Sequence, residues 1–95
     1  MCLHEIRILN FQDAYKLNKE DAESAAKLLD EYLKYGYTAD VIQKAKEENL
    51  EVKSSLVRLV KNGSSCNPRL FRIMLDLAKE NQKAVVAVQE ALDRD

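Results

Sequence analysis

Lys61-Asn62-Gly63-Ser64-Ser65-Cys66-Asn67-Pro68-Arg69-Leu70 is the stretch on which the fold turns. Gly63 suits the left-handed exit of a helix, and Asn67 before Pro68 reads as an N-cap with proline at the first helical position, where its missing N–H costs nothing. The segments on either side hold no further glycine or proline: none from Ala39 to Asn62, none after Pro68. The pattern predicts a long antiparallel helical hairpin whose tip is this loop.

In the first arm Thr38 is the expected cap, and Ile42, Ala45, Asn49, Val52, Leu56 and Leu59 follow the 3-4 spacing of a seam between packed helices. One helix over 39–62 is expected, with a break near Asn49 to Glu51 as the alternative. The second arm repeats the pattern in Leu70, Met74, Leu77, Asn81, Val85, Val88 and Leu92. A turn centred on Ser65 sets Asn49 opposite Asn81, which predicts a buried amide pair that fixes the register of the hairpin.

Upstream of the hairpin, Asn18 before Lys19-Glu20-Asp21 is an Asx cap with acids in the first turn, opening a helix expected to run to Tyr35 and to end at Gly36. Its inward stripe is Ala22, Ala25, Ala26, Leu29, Tyr32 and Leu33. In the first 17 residues Ile6 and Ile8 alternate like a strand, but Asn10 is the expected cap of a short helix from Phe11 to Leu17, which is the favoured reading.

Composition agrees with these assignments. The 95 residues include 2 Gly, 1 Pro and no Trp, while Leu, Ala, Lys and Glu number 13, 10, 10 and 9, so a sheet lacks both strand formers and turn formers. The chain is therefore expected to be a single all-α domain over 1–95, a small helical bundle built on the hairpin. No segment approaches the roughly 20 apolar residues of a membrane span, and the N-terminus does not read as a signal peptide. Cys2 and Cys66 fit reduced thiols, and the expected compartment is the cytoplasm, a host cell's included.

No glycine-rich phosphate loop, HExxH, GxSxG or EF-hand pattern occurs. His4 lies near a terminus, a poor place for a preorganised acid or base. No catalytic residue, cofactor or metal site is therefore expected, and the chain reads as a non-enzymatic binding protein, an adaptor, inhibitor or regulator working through protein–protein contacts. At about 1.5 Å per residue the hairpin arms span ~36–39 Å against ~25 Å for the helix that precedes them. The overhang leaves Val85, Val88 and Leu92 or their counterparts short of cover, to be met by the N-terminal segment or by a second copy, and a homodimer is expected.

Charge marks a second candidate. Between Val52 and Leu75 lie five cations, Lys53, Arg58, Lys61, Arg69 and Arg72, and no acid; because the chain sums to −1, the rest sums to −6. A hairpin is expected to gather these cations at one tip, where Ser64 and Ser65 add hydrogen-bond donors for an anion or an acidic partner. Tyr32, Tyr35 and Tyr37 form a possible contact patch, since tyrosine is enriched at interfaces.

Ser54-Ser55-Leu56-Val57-Arg58-Leu59-Val60-Lys61-Asn62-Gly63, with Asn67-Pro68-Arg69-Leu70 after it and Gly36-Tyr37 before it, resembles the recognition-helix region of small helix-turn-helix repressors and antitoxins. The resemblance covers about a third of the chain. It departs from that pattern at Glu48-Asn49-Leu50, which replaces the turn glycine, and at Lys44, Glu48 and Ser55, which stand where apolar residues belong. It implies an alternative function, a nucleic-acid-binding regulator that uses the basic segment 52–75.

Overall fold

The computed structural model describes residues 2–93 and contains five helices in the order α1 Leu3–Tyr15, α2 Lys19–Tyr32, α3 Tyr37–Glu47, α4 Ser54–Lys61 and α5 Pro68–Asp93. The protein is an all-helical bundle, and no strand occurs among the described residues. At 26 residues α5 is about 39 Å long and forms the spine on which α2, α3 and α4 pack, while α1 lies along α2.

Local chemistry opens two of the helices where caps were expected. The Asn18 side chain accepts from the Asp21 amide at 2.7 Å, and the Asn67 side chain accepts from the Leu70 amide at 3.1 Å, so both Asx caps satisfy an amide that the helix itself leaves without a partner. The stripe of α2 is inward: Ala22, Ala26 and Leu29 are fully buried, Ala25 and Leu33 nearly so, and Tyr32 packs on the edge of the core. The helix stops at Tyr32, three residues short of Tyr35, because Leu33 leaves helical geometry with its carbonyl held by a side chain. Gly36 takes φ +75° as expected, but it serves as the N-cap of α3, which begins at Tyr37 ahead of the expected cap Thr38.

The predicted N-terminal element is longer than expected and starts earlier. Asn10 lies inside α1 and donates to the Gly63 carbonyl at 3.0 Å, so it ties the helix to the hairpin loop instead of capping. Lys16, in the left-handed region at φ +57°, closes α1 before Leu17. Gly63 has φ +86°, and a Cβ there would lie 3.3 Å from Cγ of Arg7, which makes glycine the residue that lets α1 reach the loop.

The first arm of the hairpin is in two pieces, the alternative weighed for it. A single helix over 39–62 does not form: α3 ends at Glu47, Asn49 takes φ +61°, and the chain runs without helix to Lys53 before α4 opens. The break shifts the face that α4 buries. Val57 and Val60 are inside, whereas the expected seam residue Leu59 is 41% exposed and Val52 and Leu56 only border the core.

The predicted amide pair is likewise absent. Asn49 is exposed at the turn, and Asn81 donates from Nδ2 to the Tyr32 carbonyl at 2.8 Å, closing the end of α2. Each asparagine satisfies or shapes a helix terminus, which a seam read from spacing alone does not distinguish from a buried polar pair.

The core is centred where α1, α2 and α5 meet. Phe71 stacks on Tyr15 with centroids 4.1 Å apart and planes at 10°, and it packs against Phe11 at 4.9 Å in a tilted geometry. Leu70, Ile73, Met74 and Ala78 carry the buried face of α5 as far as residue 78.

Candidate functional site

Beyond residue 81 the spine leaves the bundle. Residues 82–93 of α5 are all exposed, although Val85, Val88 and Leu92 continue, at 4-3-4 spacing from Asn81, the stripe that Leu70 and Met74 bury further back. Val88 and Leu92 are 61% and 71% exposed, values that an apolar residue facing a core does not have. Ala84 and Ala91 flank the stripe and keep it shallow, so another helix can approach closely along it. The charged side chains of this arm, Lys79, Glu80, Lys83, Glu90 and Asp93, fall outside the stripe by helical spacing. Sequence spacing pointed to Val85, Val88 and Leu92; the structure adds that the whole arm stands free.

The α1 helix also carries apolar residues on both sides. Ile8 and Phe11 are inward, while Leu3, Ile6 and Leu9 are 85%, 41% and 46% exposed. These three fall on one i, i+3, i+6 row of α1.

The seven residues expected to converge at one tip are distributed over four places. Arg69 donates to the Glu48 backbone carbonyl, and Arg72 pairs with the Glu48 carboxylate and, at 2.7 Å, with Asp76. Both arginines therefore hold the α3 terminus onto α5, and their charge is met by carboxylates or by the end of a helix. Lys53 lines a separate open cleft of about 590 Å³ with Ile42, Lys46 and Leu56. Ser64 and Ser65 border a third depression, about 280 Å³, beside Asn10 and Cys66.

Only Arg58 and Lys61 remain together, and they join two of the predicted tyrosines. An open cleft of about 460 Å³ is bounded by Lys34, Tyr35, Gly36, Tyr37, Thr38, Arg58 and Lys61. Lys61 donates to the Leu33 carbonyl at 2.7 Å and lies 4.3 Å from the centroid of the Tyr37 ring. Burial pushes its ammonium below the usual lysine range; Asp30 opposes that shift and Arg7 adds to it. Lys61 is thus first of all the cap of α2, and its cation–π contact fixes the Tyr37 ring. The Tyr35 ring is fully solvent-exposed, and Tyr32 belongs to the core edge, so the three tyrosines do not make one patch.

Sequence reasoning missed Arg7, whose side chain is 12% exposed. Its Nε donates to the Lys61 carbonyl at 2.9 Å, Nη1 meets both oxygens of Asp30 at 2.9 Å, and the guanidinium lies 5.2 Å from the Phe11 centroid. Nη2 is buried without a hydrogen-bond partner. The residue locks α1, α2 and α4 together, and a lone arginine in a short helix carries no local signal of that role.

The α3–α4 pair bears on the helix-turn-helix resemblance. Asn49, four residues after the fully buried Ala45, takes the left-handed conformation in the turn between α3 and α4. His4 is exposed, and the free thiols of Cys2 and Cys66 are exposed as well, the Cys66 thiol 3.7 Å from the Ala14 carbonyl. No helix among the described residues is long and apolar enough to cross a membrane. No protein-family model, curated protein or solved structure matches the chain.

Proposed function

We propose that this is a non-enzymatic binding protein, an adaptor, inhibitor or regulator, that acts through protein–protein contacts of the free arm of α5. The observation that carries the reading is the exposure of residues 82–93 along a stripe whose earlier half is core. A helix with such a stripe is the form in which one protein offers an amphipathic helix to a groove or to another helix. The arm is anchored through Ala78 and the Asn81 contact with Tyr32, so its direction is fixed before any partner arrives.

The test is selective capture. Tagged wild-type protein and Val88→Asp are compared with Arg58→Ala as the control surface change, all three with helicity checked by circular dichroism. Loss of every captured protein with V88D, and retention with R58A, supports the arm as the contact surface. Equal capture by wild type and V88D overturns it.

The turn at Asn49 favours one second reading, a nucleic-acid-binding regulator with α4 as its recognition helix. Arg69 and Arg72 being committed to Glu48, its phosphate contacts rest on Lys53 and Arg58. Two such contacts give a log–log salt slope of about −2 for duplex DNA. No DNA or RNA binding at low salt eliminates this reading.

A further inference from the structure

We infer that the cleft between α4 and the α2–α3 connection is a binding site for a small phosphate monoester, held by Lys34, Arg58 and Lys61. The inference goes beyond the reading of the arm, since no residue that bounds this cleft belongs to α5.

Three cations from two separate segments converge there. Arg58 and Lys61 are three residues apart on α4 and so share a face, and Lys34 enters from the connection. No carboxylate lines the cleft, and Asp30, whose charge reaches Lys61, gives both its oxygens to Arg7 at 2.9 Å. Neither Lys34 nor Arg58 has an ion-pair partner among the described residues, whereas Arg72 is met by Glu48 and Asp76. Lys61 spends one of its three N–H groups on the Leu33 carbonyl. Burial and the nearby Arg7 both disfavour its charge, so it gains most from an anion placed beside it.

The number and kind of donors select the ligand. A phosphate monoester presents three terminal oxygens and carries about −1.5 to −2 charges at neutral pH, so each cation can meet one oxygen. A carboxylate offers two oxygens and a single charge, and an internal phosphodiester likewise leaves two. Thr38 adds its hydroxyl and an amide that has no acceptor among the described residues. The organic part of the ester has a surface of its own: the Tyr37 ring is fixed by Lys61, and the Tyr35 ring is fully exposed. At about 460 Å³ the cleft admits one small ester.

Calorimetry and amide chemical-shift titration test the site. Phenyl phosphate is the probe, with inorganic phosphate as the bare group and dimethyl phosphate as the diester. Phenyl phosphate is expected to bind more tightly than either, with shifts concentrated at residues 34–38 and 58–61. Arg58→Ala and Lys34→Ala, both at exposed positions, should each weaken binding about tenfold, the loss of one charge-assisted hydrogen bond, with unchanged helicity. Lys83→Ala, which removes an exposed cation of the α5 arm, should leave the affinity as it is. No binding of phenyl phosphate at about 10 mM, a concentration that fills even a millimolar site, overturns the inference. Equal weakening by R58A and K83A does so as well, because net charge alone then attracts the anion. Dimethyl phosphate bound as tightly as phenyl phosphate overturns the monoester in favour of a nucleic-acid backbone. The arm is judged separately: R58A that loses phenyl phosphate yet keeps protein capture separates the two sites, and failure of either test leaves the other standing.

Discussion

Replacing Asn49 by alanine and, separately, by glycine tests the break in the first arm by the sign of the difference between them. Asn49 is exposed with φ +61°, and its side chain accepts or donates no hydrogen bond among the described residues. Alanine in the left-handed region carries a penalty of about 1–2 kcal/mol that glycine does not carry and asparagine carries only in part. The Gly variant is therefore expected to be more stable than the Ala variant by about 1 kcal/mol, after allowing for glycine's greater freedom in the unfolded chain. In an unbroken helix over 39–62 the order reverses, with alanine the better residue by about 1 kcal/mol. The two structures thus differ by about 2 kcal/mol in this one comparison, which exceeds the error of a denaturant titration. In a domain of this size each kcal/mol also moves Tm by roughly 4–8 °C. Urea unfolding of the three proteins, with a common m-value, is the assay. An Ala variant more stable than the Gly variant refutes the turn at Asn49 and restores the continuous helix.

Asn81→Ala is expected to cost about 1 kcal/mol, the worth of its bond to the Tyr32 carbonyl, and to add to the effect of Asn49→Ala within about 0.5 kcal/mol, because the two residues serve different helix ends; a larger coupling energy in a double-mutant cycle contradicts the separation. Phe71→Ala removes the ring on which Tyr15 and Phe11 converge and is expected to destabilise by about 3–5 kcal/mol, enough to unfold a large fraction of so small a domain, as read by near-ultraviolet circular dichroism. Burial raises the Tyr15 phenol above its ordinary pKa of 10.0, the Cys66 thiol adding to that shift and the Asn67 amide opposing it. The folded state therefore holds that proton more tightly than the unfolded state, and stability conferred below pH 10 is lost as pH rises through the raised value. In a spectrophotometric titration the step removed by Tyr15→Phe should lie above pH 10.0. Lys61 works in the opposite sense: its lowered pKa means the unfolded chain binds the proton more tightly, so its contribution improves as pH rises toward 10.5, and Lys61→Met should flatten that part of the stability profile.

Features whose physics is local were legible in the order of residues. Asn18, and Asn67 before Pro68, declare helix starts because the capping oxygen and the amide it satisfies are three residues apart. The Ala22–Leu33 stripe declares a buried face because helical periodicity is enough to align it, and Gly36 and Gly63 mark left-handed positions that few other residues accept. The overhang of Val85, Val88 and Leu92 was legible from helix lengths alone. Whatever depends on groups distant in sequence had to wait for the packed fold. The seam through Asn49 is compatible with a straight helix; the structure breaks it there, and the broken end is held by Arg69 and Arg72 reaching across from α5 to Glu48. The same contacts disperse the basic tip, since a cation is free or committed according to which carbonyl or carboxylate the fold brings to it. Lys61 closes α2 through Leu33, and Arg7 meets Asp30 across 23 residues of chain. Helical periodicity fixes which way a side chain points, but its partner is fixed by packing, and packing is settled by the whole chain at once.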